Sequence, residues 1–267
     1  IQMLEVKQNR IKAVLGRFES TASLQLLLSK NKLTSIDFCG WNVSNMTSLE
    51  MDYNELTTVP ACLDNVNSLT LLSIRTNRIQ NVAIDSFAKL KRLVTLDVSF
   101  NNLTTIMLNM LGRFESTASL QLLLSKNKLT SIDFCGWNVS NMTSLEMDYN
   151  ELTTVPACLD NVNSLTLLSI RTNRIQNVAI DSFAKLKRLV TLDVSFNNLT
   201  TIMLNSPHYP TSLRDLWITG NNLSQLDLSL VSVPSLELDV RMNCISSMDV
   251  DSISPNITKL NMAANPI

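Results

Sequence analysis

A short aliphatic pattern that recurs along the whole chain constrains the fold more than any other feature. Each repeat follows the spacing L-x-x-L-x-L-x-x-N-x-L-x-x-L, in which L is any aliphatic residue, as residues 69–82 show. Twelve repeats are present, each marked by one asparagine: Asn9, Asn31, Asn54, Asn77, Asn101, Asn127, Asn150, Asn173, Asn197, Asn221, Asn243 and Asn265. Successive asparagines are 22 to 26 residues apart. Because a repeat of this length cannot bury its own apolar side, neighbouring repeats must stack and share one core.

The alternation inside each repeat predicts its local structure. The two aliphatic residues of L-x-L flank a polar residue, which is the pattern of a short strand with one buried face. The asparagine follows where the chain turns away from the strand, and its amide can satisfy backbone groups that no strand reaches. Parallel strands about 4.8 Å apart, with bulkier loops on the other side, make the stack bend. The sequence therefore predicts an α/β solenoid, a horseshoe of twelve repeats over residues 1–267 with short parallel strands on its concave face.

A perfect tandem duplication lies inside this array. Residues 15–109 recur without a change as residues 111–205, so that repeats two to five are copied as repeats six to nine. Surface positions tolerate substitution, so identity over the whole copy exceeds any structural need. A recent gene duplication or a deliberately copied cassette would explain it. At the seam, residues 107–117, the asparagine spacing widens to 26, which predicts an irregular loop that leaves the core intact.

The repeat resembles that of the leucine-rich repeat family over residues 1–267. Residues 86–93 carry the F-x-x-L-x-x-L lead-in that is typical of extracellular members, and residues 226–230 are similar to secreted immune leucine-rich repeat proteins of mosquitoes. The resemblance implies an extracellular binding protein, with a role in innate immunity. Extracellular members usually carry Cys-rich caps, and the sequence has none, so the resemblance also implies a fragment of a longer protein.

The cysteine positions predict two disulfides. Cys39 and Cys62 each lie eight positions after the asparagine of their repeat, as do Cys135 and Cys158 in the second copy. The same slot in adjacent repeats places two Cα atoms about 5 Å apart, within disulfide range. The sequence therefore predicts the bonds Cys39–Cys62 and Cys135–Cys158, with buried reduced cysteines as the alternative. Cys244 is left over, either as a free thiol or as the partner of a cysteine outside this sequence.

Eight N-x-S/T sequons are spread over the predicted loops: Asn42, Asn45, Asn102, Asn138, Asn141, Asn198, Asn222 and Asn256. Sequons in loops beside disulfides are typical of secreted proteins. We therefore expect a secreted or extracellular glycoprotein.

Charge and motif content exclude several classes of function. The chain has 22 basic and 23 acidic residues, and nucleic-acid binding needs a basic surplus. No apolar run reaches the roughly 18 to 20 residues that span a bilayer. Catalytic signatures such as H-E-x-x-H, G-x-S-x-G, a phosphate-binding glycine loop or C-x-x-C are missing. The single histidine, His208, lies in a proline-bounded segment that we interpret as a surface loop. We therefore predict no enzyme activity, cofactor or metal.

The strand positions of the predicted concave face are the best binding candidates, because aromatic and arginine side chains on a rigid sheet are common interface anchors. The candidates are Glu50, Asp52, Tyr53, Arg75, Asp97, Phe100, Glu146, Asp148, Tyr149, Arg171, Asp193, Phe196, Trp217, Asp239 and Arg241. Trp217, Asp239 and Arg241 form the sharpest cluster. The alternative is a set of ordinary solvated residues joined in carboxylate–arginine ladders.

These features favour a non-enzymatic recognition module that binds a protein or glycan ligand, with homo- or hetero-oligomers as further possible partners. Two other hypotheses stay open. The duplication would suit an engineered, repeat-extended scaffold without a natural ligand. The extracellular features would suit a fragment of an adhesion or receptor ectodomain.

Overall fold

The computed structural model describes residues 1–107 and 117–267, which form two compact units. The first unit contains residues 1–132 and 136–142, and the second contains residues 133–135 and 143–267. Most of the predicted seam loop, residues 107–117, lies outside the described residues. A single solenoid over the whole chain therefore stays a prediction, and each unit is described by itself.

In the first unit, six short strands pair in parallel in the order β1-β2-β3-β4-β6-β8, and β5 pairs separately with β7. The strands are β1 (Met3–Glu5), β2 (Leu24–Leu27), β3 (Met46–Glu50), β4 (Leu71–Ser73), β5 (Asn81–Ala83), β6 (Thr95–Asp97), β7 (Thr105–Met107) and β8 (Gln121–Leu123). Two 3₁₀ helices, Leu63–Val66 and Ile84–Phe87, lie between strands. Each strand of the main sheet pairs with the same positions of the next repeat, as Leu72 does with Leu96. Each repeat thus folds as one coil, with its aliphatic residues in a shared core.

The second unit repeats this arrangement, with the main sheet in the order β9-β10-β12-β14-β15-β16 and β11 paired with β13. The strands are β9 (Ser144–Glu146), β10 (Leu167–Ser169), β11 (Asn177–Ala179), β12 (Thr191–Asp193), β13 (Thr201–Met203), β14 (Asp215–Trp217), β15 (Leu236–Asp239) and β16 (Ile257–Asn261). The 3₁₀ helices are Leu159–Val162, Ile180–Phe183 and Val250–Ser252. The predicted solenoid of short parallel strands is confirmed. Its helical part, over the described residues, consists of 3₁₀ helices of three or four residues, and none of them is long and apolar enough to cross a membrane.

The predicted role of the repeat asparagines is also confirmed, and we call their row the asparagine ladder. The Asn77 side-chain amide donates to the carbonyl of Ile74 in its own coil (2.9 Å) and to that of Met51 in the preceding coil (3.0 Å), while its oxygen accepts from the Leu56 amide (3.0 Å). The same three contacts recur at Asn54, Asn101, Asn197 and Asn243. Each of these five asparagines therefore closes its own turn and ties it to the coil before it.

The residue before each ladder asparagine has a left-handed backbone. Eleven of these twelve residues are not glycine, and their φ angles lie between 52° and 59°. The exception is Gly220, with φ 67°. The turn therefore imposes a conformation that L residues adopt at a cost, and the ladder bonds hold it.

Both predicted disulfides are present. Cys39 is bonded to Cys62 and Cys135 to Cys158, with a Cα–Cα distance of 5.1 Å in each. Cys244 is an exposed free thiol.

Candidate functional site

We define the strand face as the outward side of the main-sheet strands and of the turns that follow them. Side-chain alternation creates it, because successive residues of a strand point to opposite sides. On β14, for example, Leu216 and the following Ile218 are fully buried, whereas Trp217 between them is 43% exposed. The strand face therefore carries the predicted binding residues.

A hollow of about 510 Å³ lies on the strand face of the second unit. Its lining consists of Arg171, Asp193, Ser195, Phe196, Trp217, Thr219, Asp239, Arg241 and Met242. Trp217 is the register neighbour of Asp193 on β12 and of Asp239 on β15. The parallel register thus brings together the predicted cluster of Trp217, Asp239 and Arg241 and adds residues from the two preceding coils.

In this hollow the carboxylate side chains are less exposed than the arginine side chains. The Asp193 side chain is 7% exposed and that of Arg171 39%; the Asp239 side chain is 19% exposed and that of Arg241 48%. Asp193 accepts a hydrogen bond from the Ser195 amide (2.8 Å) and lies 3.9 Å from the Arg171 guanidinium. The solvent-facing groups are therefore guanidinium, indole and thioether.

Asp239 orients Arg241. The Arg241 guanidinium donates to the Asp239 carboxylate at 2.9 Å and 2.7 Å, and the Thr219 hydroxyl donates at 2.9 Å. Burial by itself would raise the pKa of Asp239, but the hydrogen bonds from Arg241 and Thr219 outweigh burial and lower it. The carboxylate therefore stays ionised and holds the arginine in place.

Phe196, which lines the hollow beside Arg171, packs against Gly220. The Arg171 guanidinium stacks 4.4 Å from the centre of the Phe196 ring. A Cβ atom at Gly220 would lie 2.7 Å from the ring, so the glycine is needed for this close approach. Sequence reasoning missed Gly220, although it is the one glycine in the row of residues that precede the ladder asparagines.

The first unit contains a corresponding arginine, aspartate and phenylalanine, namely Arg75, Asp97 and Phe100. Their surroundings differ from those in the second unit. The Arg75 guanidinium lies 4.4 Å from the centre of the Phe100 ring, and the Lys126 ammonium lies 4.3 Å from it. Arg75 Nε is buried and has no hydrogen-bond partner among the residues that the structure describes. Asp97 is buried and accepts from the Ser99 amide at 2.9 Å. Phe100 is thus contacted by two cations, whereas Phe196 packs on a glycine.

Asp52 and Asp148 occupy equivalent positions in the two copies, and each accepts hydrogen bonds from the next coil. Asp52 accepts from the Ser73 hydroxyl (2.5 Å) and the Arg75 amide (3.0 Å), and Asp148 accepts from Ser169 and Arg171 in the same way. Burial raises the pKa of both carboxyls. Through these hydrogen bonds, each aspartate positions the next coil.

The remaining predicted binding residues lie outside the hollow. Tyr53 and Tyr149 are exposed, and Glu146 is half-buried. Glu50 is half-buried and forms an ion pair with Lys7 at 3.0 Å.

Most of the predicted loop features are exposed. The His208 side chain is 71% exposed, with Nδ1 3.9 Å from the Asp181 carboxylate. Six of the predicted glycosylation sites are exposed, namely Asn42, Asn45, Asn138, Asn141, Asn198 and Asn222. Asn102 and Asn256 are half-buried. Glycosylation at these eight positions stays a prediction.

Stacked parallel-strand coils, an asparagine ladder and an exposed strand face define a solenoid protein of the repeat class. Family models described as leucine rich repeat match residues 163–223 and 92–114. These two stretches are therefore leucine-rich repeats. Curated proteins gave no match to the sequence.

Solved structures share this fold over nearly the whole chain. The functional domain of InlJ from Listeria monocytogenes is 19% identical, with a TM-score of 0.64; the match covers 99% of this chain and 63% of that one. The internalin InlF from the same organism is 21% identical, with a TM-score of 0.71 and coverages of 99% and 74%. The mosquito LRIM1/APL1C complex is 20% identical, with a TM-score of 0.64 and coverages of 91% and 48%. At these identities the comparison shows the fold.

Proposed function

We propose that this chain is a non-enzymatic recognition module that binds a protein partner on the strand face, with the hollow around Trp217 as its centre. The observation that carries the proposal is the exposure of Trp217 and Arg241 on a rigid sheet, because Trp and Arg are enriched among the few residues that carry most of the binding energy at protein interfaces. LRIM1 and APL1C, whose structure has this fold, form a complex with each other, which agrees with such a role.

We propose an extracellular setting for this binding. Two disulfides join neighbouring coils, and disulfides persist in oxidising compartments. The predicted sequons agree with this setting, and an immune role remains an implication of the resemblance to mosquito proteins.

Affinity capture tests the proposal. The full chain, immobilised, is exposed to insect haemolymph and to serum, and bound proteins are identified by mass spectrometry. Each captured protein is then titrated against single alanine variants at Glu50, Arg75, Trp217 and Arg241. A control variant, Arg188→Ala, changes an exposed residue outside the strand face.

A protein whose affinity falls in strand-face variants and is kept in Arg188→Ala supports the proposal. Unchanged affinity in all four strand-face variants contradicts it. Capture of glycans alone would favour the glycan hypothesis, and capture of nothing would favour the scaffold hypothesis.

A further inference from the structure

We infer that the two copies of the Arg–Asp–Phe group have different roles and that, as far as the described residues show, the second copy is the one that forms an open site. That site takes an acidic side chain flanked by an apolar or aromatic side chain from a protein partner. The inference deepens the proposed function, on which it rests, by naming the partner's chemistry.

The duplication supplies an internal comparison. Arg75, Asp97 and Phe100 correspond to Arg171, Asp193 and Phe196 within identical sequence, so any difference between the two sites must come from the coil that follows. In the first copy that coil places Leu123 beside Asp97 and Lys126 over Phe100. In the second copy it places Trp217 beside Asp193 and Gly220 under Phe196.

Lys126 closes the first site. Its ammonium lies over Phe100 together with the Arg75 guanidinium, and Arg75 Nε is buried. In the first copy, two cations therefore contact the ring. At the equivalent position Gly220 has no side chain, which leaves the ring of Phe196 and the guanidinium of Arg171 on the wall of the hollow.

Charge complementarity identifies the partner's polar group. The hollow contains two arginines and two aspartates, but the arginines face solvent and the aspartates are largely covered. Asp239 uses one edge of the Arg241 guanidinium, and Arg171 lies 3.9 Å from Asp193, beyond hydrogen-bond distance. Both guanidinium groups keep donors for a carboxylate, which arginine binds in bidentate geometry.

The apolar side chains that line the hollow indicate the apolar part of the partner. Trp217 is 43% exposed and Met242 is 54% exposed, and both line the hollow with Phe196. An indole next to a thioether favours a flat or flexible apolar side chain. An acidic residue adjacent to an apolar one therefore matches both halves of the hollow.

A phage-displayed library of random dodecapeptides, selected on the folded full chain, tests this inference. Enriched peptides are synthesised and titrated by calorimetry against wild type, Arg171→Gln, Trp217→Ala and Gly220→Lys. Gly220→Lys copies the closed state of the first site. Gly136→Lys is its matched control, because Gly136 has a left-handed backbone (φ 89°) and open space around it. Lys126→Ala reports on the first copy, and circular dichroism confirms folding of each variant.

We expect enriched peptides to carry Asp or Glu next to an apolar residue, and affinity to fall about tenfold or more in the three variants of the hollow. Gly136→Lys and Lys126→Ala should keep wild-type affinity. Enriched peptides without acidic residues, or affinity that survives Arg171→Gln and Trp217→Ala, would overturn the inference. A lack of enrichment would overturn it too. The proposed function is contradicted by a different result, namely captured proteins that keep their affinity in all four strand-face variants.

Discussion

Asn77 shows how one side chain determines the stability of two coils. Its amide satisfies two carbonyls and one backbone amide that belong to successive coils, all of them buried. The repeat spacing predicted that the asparagine side chain satisfies backbone groups. A side-chain amide suits this role because it is neutral and compact and carries two donors and an acceptor. At this scale, sequence and structure agree closely.

Replacing Asn77 by alanine should lower the free energy of unfolding by about 2 to 4 kcal/mol, because buried backbone groups lose their partners. Asn9 is the control, since it is exposed and its amide donates only to Val6 and Lys7 in its own coil. Asn9→Ala should cost less than about 1 kcal/mol. Urea denaturation measures both, and equal costs would contradict the role of the ladder.

Two aspartates should give opposite pH dependence of stability. Burial raises the pKa of Asp52 above its ordinary value of 3.8, so the folded chain holds that proton more tightly than the unfolded chain. The contribution of Asp52 to stability is therefore fully present below pH 3.8, and it is lost as pH rises through the raised pKa. Asp239 has a lowered pKa, so its contribution is present above 3.8 and is lost as pH falls through the lowered value.

Denaturation between about pH 6 and pH 3 tests this pair. As pH falls, wild type should gain stability relative to Asp52→Asn and lose stability relative to Asp239→Asn. Changes of the same sign in both comparisons would show that the environments of the two carboxyls are not as described.

At the scale of the element, the period predicted the strands, the ladder and the disulfides, because these depend on position within a repeat. It did not predict the burial of Asp97 and Asp193 under neighbouring side chains. Nor did it distinguish the two aromatic rings, since Phe100 and Phe196 have identical local sequence. These properties depend on which side chain the next coil brings, and a single repeat does not contain that information.

Gly220→Ala tests the contact between coils at this scale. Alanine there meets the Phe196 ring at 2.7 Å, whereas alanine at Gly136 meets nothing within 4 Å. Both changes force alanine into a left-handed backbone, which costs about 1 kcal/mol each, and Gly220→Ala should cost about 1 to 2 kcal/mol more because the ring must move. Urea denaturation compares the two, and equal losses would exclude the proposed close packing.

At the scale of the whole molecule, coils pair with their neighbours within each unit, so the stability of each unit should be a sum of coil and interface contributions. Deleting residues 15–110 joins Val14 to Leu111 and reproduces the native Val14–Leu15 junction. Every pair of neighbouring coils in the shortened chain has a counterpart in the full one. Loss of these residues should therefore leave a folded protein.

The shortened chain should have the same circular dichroism per residue, one disulfide in place of two, and unchanged affinity for peptides of the second-copy hollow. Circular dichroism, thiol counting and calorimetry measure these properties. A chain that does not fold would show that the coils depend on more than their neighbours.

The ladder also has a direction. The Leu56 amide is satisfied by Asn77, which belongs to the following coil, and Leu33 depends in the same way on Asn54. During synthesis on the ribosome, a turn that has just emerged lacks this acceptor until roughly one further repeat has been translated. Ordered structure should therefore follow the growing chain with a lag of one coil, and a pause in translation would leave a single incomplete turn at the advancing end.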